Sequence, residues 1–425
     1  MKIFIHLIFS IILFYTSNAQ AQLPGWTQIS SGTSADLFSI HVTNHSVAYA
    51  SGSGGTILKS TDTGLTWSTL NSGVVSNLFD VFAFDQLNAI AVGSASTIIR
   101  TSDGGNTWNL VASGVTENLY SVSFSGKYGI CCGDSKTILF SNNSGESWYI
   151  SQTGLQSGVF YGTLMLSSQI GFVAGENSIN PIFQPLFGKT TDSGMNWNFT
   201  AFYLNTNEGT SHGIDFTDEQ TGYICSAVWN GQGAISKTTN SGANWNTILF
   251  DHFLWSIDFP ISDASQIGYS VGDQGTIFKT SDGGSTWQSQ QSGTSKRLNK
   301  IYFIDLDFGF AVGENGLILR TTSGGEPVDG ISNDITEVNS FKLSQNYPNP
   351  FNPSTTIQYS IPGSGNVSLR IYNALGEVVA DLVNEYQQPG IYKVNFNAEV
   401  LDSGIYFYKL NMNNYSSVKK MILIK

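Results

Sequence analysis

The sequence predicts an all-β protein of two modules, a closed ring of seven four-stranded blades followed by a small β-sandwich. Three observations carry that prediction. Among 425 residues there are 45 glycines and 13% aromatic residues but only 12% charged ones, a balance that suits short strands and tight turns better than helices laced with Glu/Lys pairs. One turn phrase returns at intervals of 40 to 49 residues, the signature of a repeat architecture. The charge also divides: twelve basic residues face twenty-six acidic ones before Phe341, and seven face five from there on. A hydrophobic content of 40% is enough to build cores, and a net charge of −12 is unsuited to a phosphate backbone, so no nucleic-acid partner is expected.

Residues 1–21 read as a signal peptide. Lys2 supplies the positive start, Ile3 to Tyr15 is mostly apolar, and Ala19-Gln20-Ala21 fits a small-x-small cleavage site. The chain is therefore expected to leave the cytoplasm with Gln22 first. No later stretch approaches the roughly 20 apolar residues of a membrane-spanning helix, so no transmembrane span is expected. The three cysteines, Cys131, Cys132 and Cys225, are odd in number with two adjacent. They read as small buried residues rather than as a disulfide framework.

The turn phrase is clearest as Ser60-Thr61-Asp62-Thr63-Gly64-Leu65-Thr66-Trp67, Thr101-Ser102-Asp103-Gly104-Gly105-Asn106-Thr107-Trp108 and Thr280-Ser281-Asp282-Gly283-Gly284-Ser285-Thr286-Trp287. Weaker copies pair Asn143 with Trp148, Asp192 with Trp197 and Asn240 with Trp245. Each follows a β-branched run and precedes another short strand, which is the grammar of a hairpin. The carboxylate or amide accepts hydrogen bonds from the turn's own N–H groups, Gly supplies unusual dihedrals, and Trp buries a large ring beneath. Three strands precede each turn and one follows, as in Asn299 to Phe303, Gly309 to Gly313 and Gly316 to Arg320, so each repeat is a four-stranded blade. A seventh turn, Thr321 to Gly325, lacks its tryptophan. Trp26 supplies the ring: Trp26 to Gly32 matches Trp67 to Gly73 in register and lies 41 residues earlier. The N-terminal strand is thus expected to close the ring over residues 22–325 and cover an unpaired edge.

The phrase resembles the Asp box of sialidase-like and sortilin-like propellers and of photosystem assembly factors of the Ycf48/Hcf136 type. The resemblance implies a seven-bladed Asp-box β-propeller and no particular activity. After an acidic, aperiodic linker at 326–340, the tail from 341 to 425 alternates short strands with turns and reads as an immunoglobulin-like β-sandwich. Its Tyr347-Pro348-Asn349-Pro350-Phe351-Asn352-Pro353 opening, the Tyr372 to Gly376 turn, Gly404-Ile405-Tyr406 and the closing Lys419 to Lys425 resemble the type A C-terminal sorting domain of the type IX secretion system. That resemblance implies recognition by the type IX machinery, passage through the periplasm, and release or attachment at the outer-membrane surface.

Sialidase chemistry needs an arginine triad, and the propeller has only Arg100, Arg297 and Arg320. Arg100 and Arg320 share the position before the turn with Lys59, Lys189, Lys237 and Lys279, so a structural role is expected of them. Four acids, Asp134, Glu176, Asp273 and Glu314, fall beside aligned glycines on turns between second and third strands, on the face opposite the boxes. The repeat breaks at blades four and five, where Asn177 to Gly188 inserts apolar residues; an apolar insertion is expected to form a loop on the binding face. Ile182, Phe183 and Phe187, with the out-of-register Trp229 and Trp255, form the candidate ligand surface. His212 and His252 have no ligand-spaced partner, and no metal or cofactor is expected. The expected function is a secreted or cell-surface binding or scaffold module for a protein or glycan; the alternative is a carbohydrate-active hydrolase or lyase using the face carboxylates.

Overall fold

The structure, a computed structural model, describes residues 25–43, 46–179, 182–204, 208–260, 266–327, 341–346, 348–361, 363–387, 390–413 and 415–424. The expected signal peptide at 1–21, residues 328–340 of the expected linker, Tyr347 of the tail motif and the side chain of Ile182 lie outside them. The chain divides into two compact units on either side of Gly330.

The first unit is a ring of seven four-stranded antiparallel sheets. Blades one to six each run outward in chain order, blade one as Leu37–Val42, Ala48–Gly52, Ile57–Ser60 and Ser68–Leu70. Second strands such as Ala89–Gly93 and Gly309–Gly313 are buried throughout, as strands covered on both faces must be, and fourth strands are mostly exposed. Blade seven takes its outer strand from the N-terminus: Thr27 pairs with Arg320, Gln28 with Leu319 and Ile29 with Ile318. Trp26 is 2% exposed, meets Phe303 edge-on and donates from its indole nitrogen to Gln290 at 2.9 Å. The first and last parts of the propeller are thereby joined by hydrogen bonds and a large buried ring together.

Each Asp box is a closed hydrogen-bond unit. Asp103 accepts from the Thr107 N–H, the Thr107 hydroxyl and the Thr101 hydroxyl, and Asp62 and Asp282 repeat the pattern. These bonds favour the ionised form and hold all three carboxyls down at about 2, with contacts to Thr66, Thr107 and Thr286 contributing most. The Ser or Thr two residues before the Asp position, which Asn143, Asn240 and Ser323 fill in three turns, accepts the N–H of the residue four ahead in all seven, from Gly64 on Ser60 to Gly325 on Thr321. Gly64 has φ of +76°, and a Cβ there would collide with Phe310 of blade seven, so this position needs glycine for conformation and space together.

Neighbouring blades are stapled at that face by the basic residue before the turn. Lys59 donates to Gly104, Arg100 to Ser144, Lys237 to Gly283, Lys279 to Gly324 and Arg320 to Thr63, each reaching a backbone carbonyl in the next blade's box. Arg100 and Arg320 are therefore structural, as their repeat position implies. Along the channel, inner strands would expose unpaired N–H groups, and side chains of the preceding blade satisfy several: Asp80 accepts from Val122, Asp215 from Phe259 and Asp258 from Phe303. Cys131, Cys132 and Cys225 are free and buried in the blades, and burial pushes their thiols up.

The second unit contains a three-stranded and a four-stranded sheet. Ile357 and Tyr359 of the first sheet and Leu369, Tyr408 and Leu410 of the second share one buried core. Phe351, from the proline-rich opening, sits in that core and exchanges backbone bonds with Ile422 and Ile424. Among the described residues, no helix is long and apolar enough to cross a membrane.

Candidate functional site

The face opposite the Asp boxes is built from two devices, turns between second and third strands and a β-bulge in each inner strand. Asp273 and Glu314 open short 3-10 turns in blades six and seven. Asp134 begins the corresponding turn of blade three and accepts from the Asn118 amide at 2.9 Å. Glu176 departs from the expectation that it sits on such a turn. It is buried inside the strand Gly171–Ile179, facing Val159 on one side and Pro185 on the other.

The reason is the apolar insertion, which is not a loop. Gly171–Ile179 and Ile182–Thr190 pair in unbroken register from Gly171 with Thr190 to Ile179 with Ile182, so the extra residues lengthen a hairpin. Phe187 consequently belongs to the core. It is 2% exposed, packs near Phe172 and Phe216 and meets Trp245 edge-on. Phe187 stands two residues before Lys189, where Ile57, Ile98 and Ile318 stand before their own basic residues; that register is the signal for a core position. Phe183 and Trp229 do come together, with ring centroids 4.4 Å apart and Trp229 55% exposed. Trp255 has different neighbours.

Trp255 belongs to a feature that the sequence alone does not reveal. In every blade the inner strand slips register by one residue near its start: between Leu37 and Ser39, Leu78 and Asp80, Leu119 and Ser121, Phe160 and Gly162, Ser211 and Gly213, Leu254 and Ser256, Leu298 and Lys300. A β-bulge leaves one residue outside the ladder and re-aims its side chain. The bulged residues are Phe38, Phe79, Tyr120, Tyr161, His212, Trp255 and Asn299. The first six form one chain of ring contacts around the channel, with successive centroids 5.5, 5.2, 5.3, 4.7 and 4.5 Å apart. Asn299 completes the circuit by donating to the Leu37 carbonyl at 2.8 Å.

These rings collar a cavity of about 100 Å³ whose wall also includes Asp80, Ser121, Thr163, Ser256 and Lys300. Asp80 is fully engaged, accepting from Ser39, Val81, Ser121 and Val122. His212 is driven down to about 3, chiefly by burial and secondarily by Arg297, so it stays neutral. Burial raises Asp215 to about 6 and lifts Asp258 well above the usual carboxyl range, the second also through repulsion by Asp215, while Lys300 opposes both shifts. The Tyr120 and Tyr161 hydroxyls are pushed up by burial and remain protonated donors.

At one side the collar meets two of the candidate acids. Trp255 donates to Asp273 at 2.7 Å; Arg297 donates to the same oxygen at 2.8 Å and lies 4.9 Å over the Trp255 ring, with Glu314 3.9 Å away. Trp255, Asp273, Arg297 and Glu314 therefore form one cluster, and Asp134 lies beside Tyr120 elsewhere on the collar. Sequence reasoning misses Arg297 and the other five rings. In blades one, two, three and six an aromatic residue visibly follows the leucine that opens the inner strand, but its meaning depends on the bulge.

Comparison with known proteins places both modules. Residues 345–425 match the secretion system C-terminal sorting domain. Residues 66–157 and 248–335 match photosynthesis system II assembly factor YCF48. No curated protein matches the sequence. Similar solved structures include YCF48 bound to D1 peptide, 19% identical over 71% of this chain and 99% of that one, with a TM-score of 0.56. YCF48 from Cyanidioschyzon merolae is 16% identical over 70% and 98%, also at 0.56. The WD40 repeats of RRP9 are 11% identical over 71% and 99%, at 0.58. At these identities the likeness shows the propeller fold alone.

Proposed function

We propose that this chain, a YCF48/BNR-like β-propeller carrying a type IX secretion C-terminal sorting domain, is an exported binding module that holds a polypeptide segment at the channel mouth. The sorting domain implies secretion or attachment to the outer-membrane surface. Removal of residues 1–21, passage through the periplasm, and a propeller at 22–325 separated by a 326–340 linker from the sorting domain at 341–425 belong to the same reading. The observation that carries it is the ring collar: six blades place a π-bearing side chain facing the lumen at their bulged position, where the fold itself needs none. Half-buried rings with neutral tyrosine donors suit apolar and polar groups presented together, as a peptide presents them. That YCF48 has been solved bound to D1 peptide supports a peptide-class ligand for this architecture.

Phe183 and Trp229 extend the candidate surface; Asp134, Asp273, Arg297 and Glu314 give it polar contacts. Binding is favoured over hydrolysis because the candidate acids are already engaged by Asn118, Trp255 and Arg297. The purified full chain, offered immobilised random peptides and a polysaccharide panel in parallel, is expected to retain peptides saturably without product. Trp255→Ala and Tyr120→Ala should each weaken retention about tenfold, the scale of one lost aromatic contact. Reducing-end release abolished by Asp134→Asn, Asp273→Asn or Glu314→Gln would replace this reading with the enzymatic one.

A further inference from the structure

The two outer faces of the C-terminal sandwich differ in a way that its own folding does not require. A small antiparallel sandwich buries one face of each sheet and exposes the other, and exposed faces are ordinarily polar. The three-stranded sheet obeys. Its strand Ser354–Ile361 points Thr356, Gln358 and Ser360 away from the core, opposite a strand that exposes Asn395 and Asn397.

The four-stranded sheet does not. On the outside of strand Gly404–Met412, Ile405 is 49% exposed and Phe407 36%, and Val418 of the neighbouring strand is 53% exposed. Register makes these one patch: Ile405 pairs with Ile422, Phe407 with Tyr372 and Lys420, and Lys409 with Val418 and Arg370. A depression of about 310 Å³ opens there, lined by Tyr372, Asn373, Ala374, Gly376, Phe407, Lys409 and Val418. Around it stand Arg370, Lys409 and Lys420, with Asp381 and with Glu377, which accepts from the Asn373 amide. Arg370 is paired with Asp381 at 3.1 Å, whereas among the described residues Lys409 and Lys420 form no ion pair.

We propose that this outer face, centred on Tyr372, Phe407 and Val418 with Lys409 and Lys420 at its rim, is the surface by which the sorting domain docks on the export apparatus. The occupant is a protein surface of apolar side chains flanked by carboxylates. The apolar cross-strand pairs supply contact area removable from water. The two lysines select an acidic rim and reject a basic one. A domain whose role is to be recognised needs such a surface, and the described outward side chains of the other sheet, Thr356, Gln358, Ser360, Asn395 and Asn397, are polar.

The test uses the full chain produced in a bacterium that carries a type IX system, with the exported and periplasmic fractions measured for each variant. Phe407→Glu and Lys409→Glu are each expected to reduce the exported fraction about tenfold and leave intact chain in the periplasm. Gln358→Glu, on the polar face, should export as the unchanged protein does. Resistance of the tail to limited proteolysis identifies variants that have kept their fold, and the exposed Lys409→Glu guards against failure of Phe407→Glu to fold. Folded variants of the apolar face exporting within twofold of the unchanged protein would overturn the proposal. So would an equal loss for Gln358→Glu, or a dimer in sedimentation that Lys409→Glu dissociates while export continues.

Discussion

The two ends of the propeller each repeat one backbone device per blade, yet they differ in what the device presents. At the Asp-box end every contact is internal. The acid bonds its own turn, the Ser or Thr before it bonds the same turn, and the basic residue bonds the next blade. Identity at those positions is consequently narrow. At the mouth the repeated device is a bulge, and the residue it ejects leaves the ladder; of the seven, Asn299 bonds a neighbouring backbone carbonyl, whereas the six rings meet mainly one another. Phe, Tyr, His, Trp and Asn all occur there. The difference separates positions that fold the ring from positions that use it.

The positions that fold the ring are most vulnerable at the seam. Trp26→Ala removes a fully buried ring, its edge contact with Phe303 and its bond to Gln290. A cost of about 3–5 kcal/mol is expected in urea unfolding, the range for large aromatic truncations. A cost below about 1 kcal/mol would mean that the N-terminal strand is an accessory rather than the closure. Next comes Thr280→Val, which keeps shape but removes the hydroxyl that accepts from Gly284 and donates to Asp282. About 1–3 kcal/mol is expected, because a buried N–H loses its acceptor. Asp282→Asn should cost less than Thr280→Val, since Asn143 and Asn240 already fill that position and still accept the turn N–H. The acids add a pH signature. Their folded values near 2 lie below the usual 3.9 or so, so their contribution is present above about pH 4 and is lost as pH falls toward 2. Replacing Asp62, Asp103 and Asp282 together by Asn should flatten that loss in acid titrations followed by circular dichroism.

Legibility in the sequence follows the same division. The seven blades, the closing role of Trp26 and the structural role of Arg100 and Arg320 are readable, because internal contacts recur with fixed residue types at fixed spacing. Phe187 and Glu176 fall elsewhere than the sequence suggests because an insertion of alternating residues looks like a loop, although the pairing of Gly171–Ile179 with Ile182–Thr190 simply extends the hairpin. Backbone pairing needs no residue identity, so composition alone does not distinguish a longer strand from a longer loop. The collar is hidden for a related reason. A one-residue bulge changes where a side chain points without changing which residue it is. Arg297 is illegible as a site residue because its partners, Trp255, Asp273 and Glu314, lie on three different segments.

Mutation at the mouth separates stability from function. Trp255→Ala removes a half-buried ring and Arg297→Ala a more exposed guanidinium, and each should change unfolding free energy by no more than about 1–2 kcal/mol, well below the cost expected for Trp26→Ala. Trp255→Ala should weaken peptide retention about tenfold and Arg297→Ala severalfold. The opposite pattern, large destabilisation with unchanged retention, would make the collar a structural element like the boxes.

The smallest expected effect lies midway between the two ends. Asp215 and Asp258 both accept inner-strand N–H groups, and desolvation raises both folded values, Asp215 to about 6, with repulsion by Asp215 adding to the rise of Asp258. A carboxyl whose folded value exceeds its unfolded one binds more protons when folded. Its stabilising contribution is therefore complete below about pH 4 and declines as pH rises through 6. Asp258→Asn keeps an oxygen for the Phe303 N–H and removes one of the two raised carboxyls. Its share of the decline should then disappear while that of Asp215 stays, and the fall in stability between pH 4 and 7 should shrink by about 1 kcal/mol, since a tenfold change in proton affinity corresponds to about 1.4 kcal/mol. Urea midpoints measured across that interval provide the check. An unchanged slope would mean that Asp258 carries no raised folded value and that Asp215 alone sets the decline.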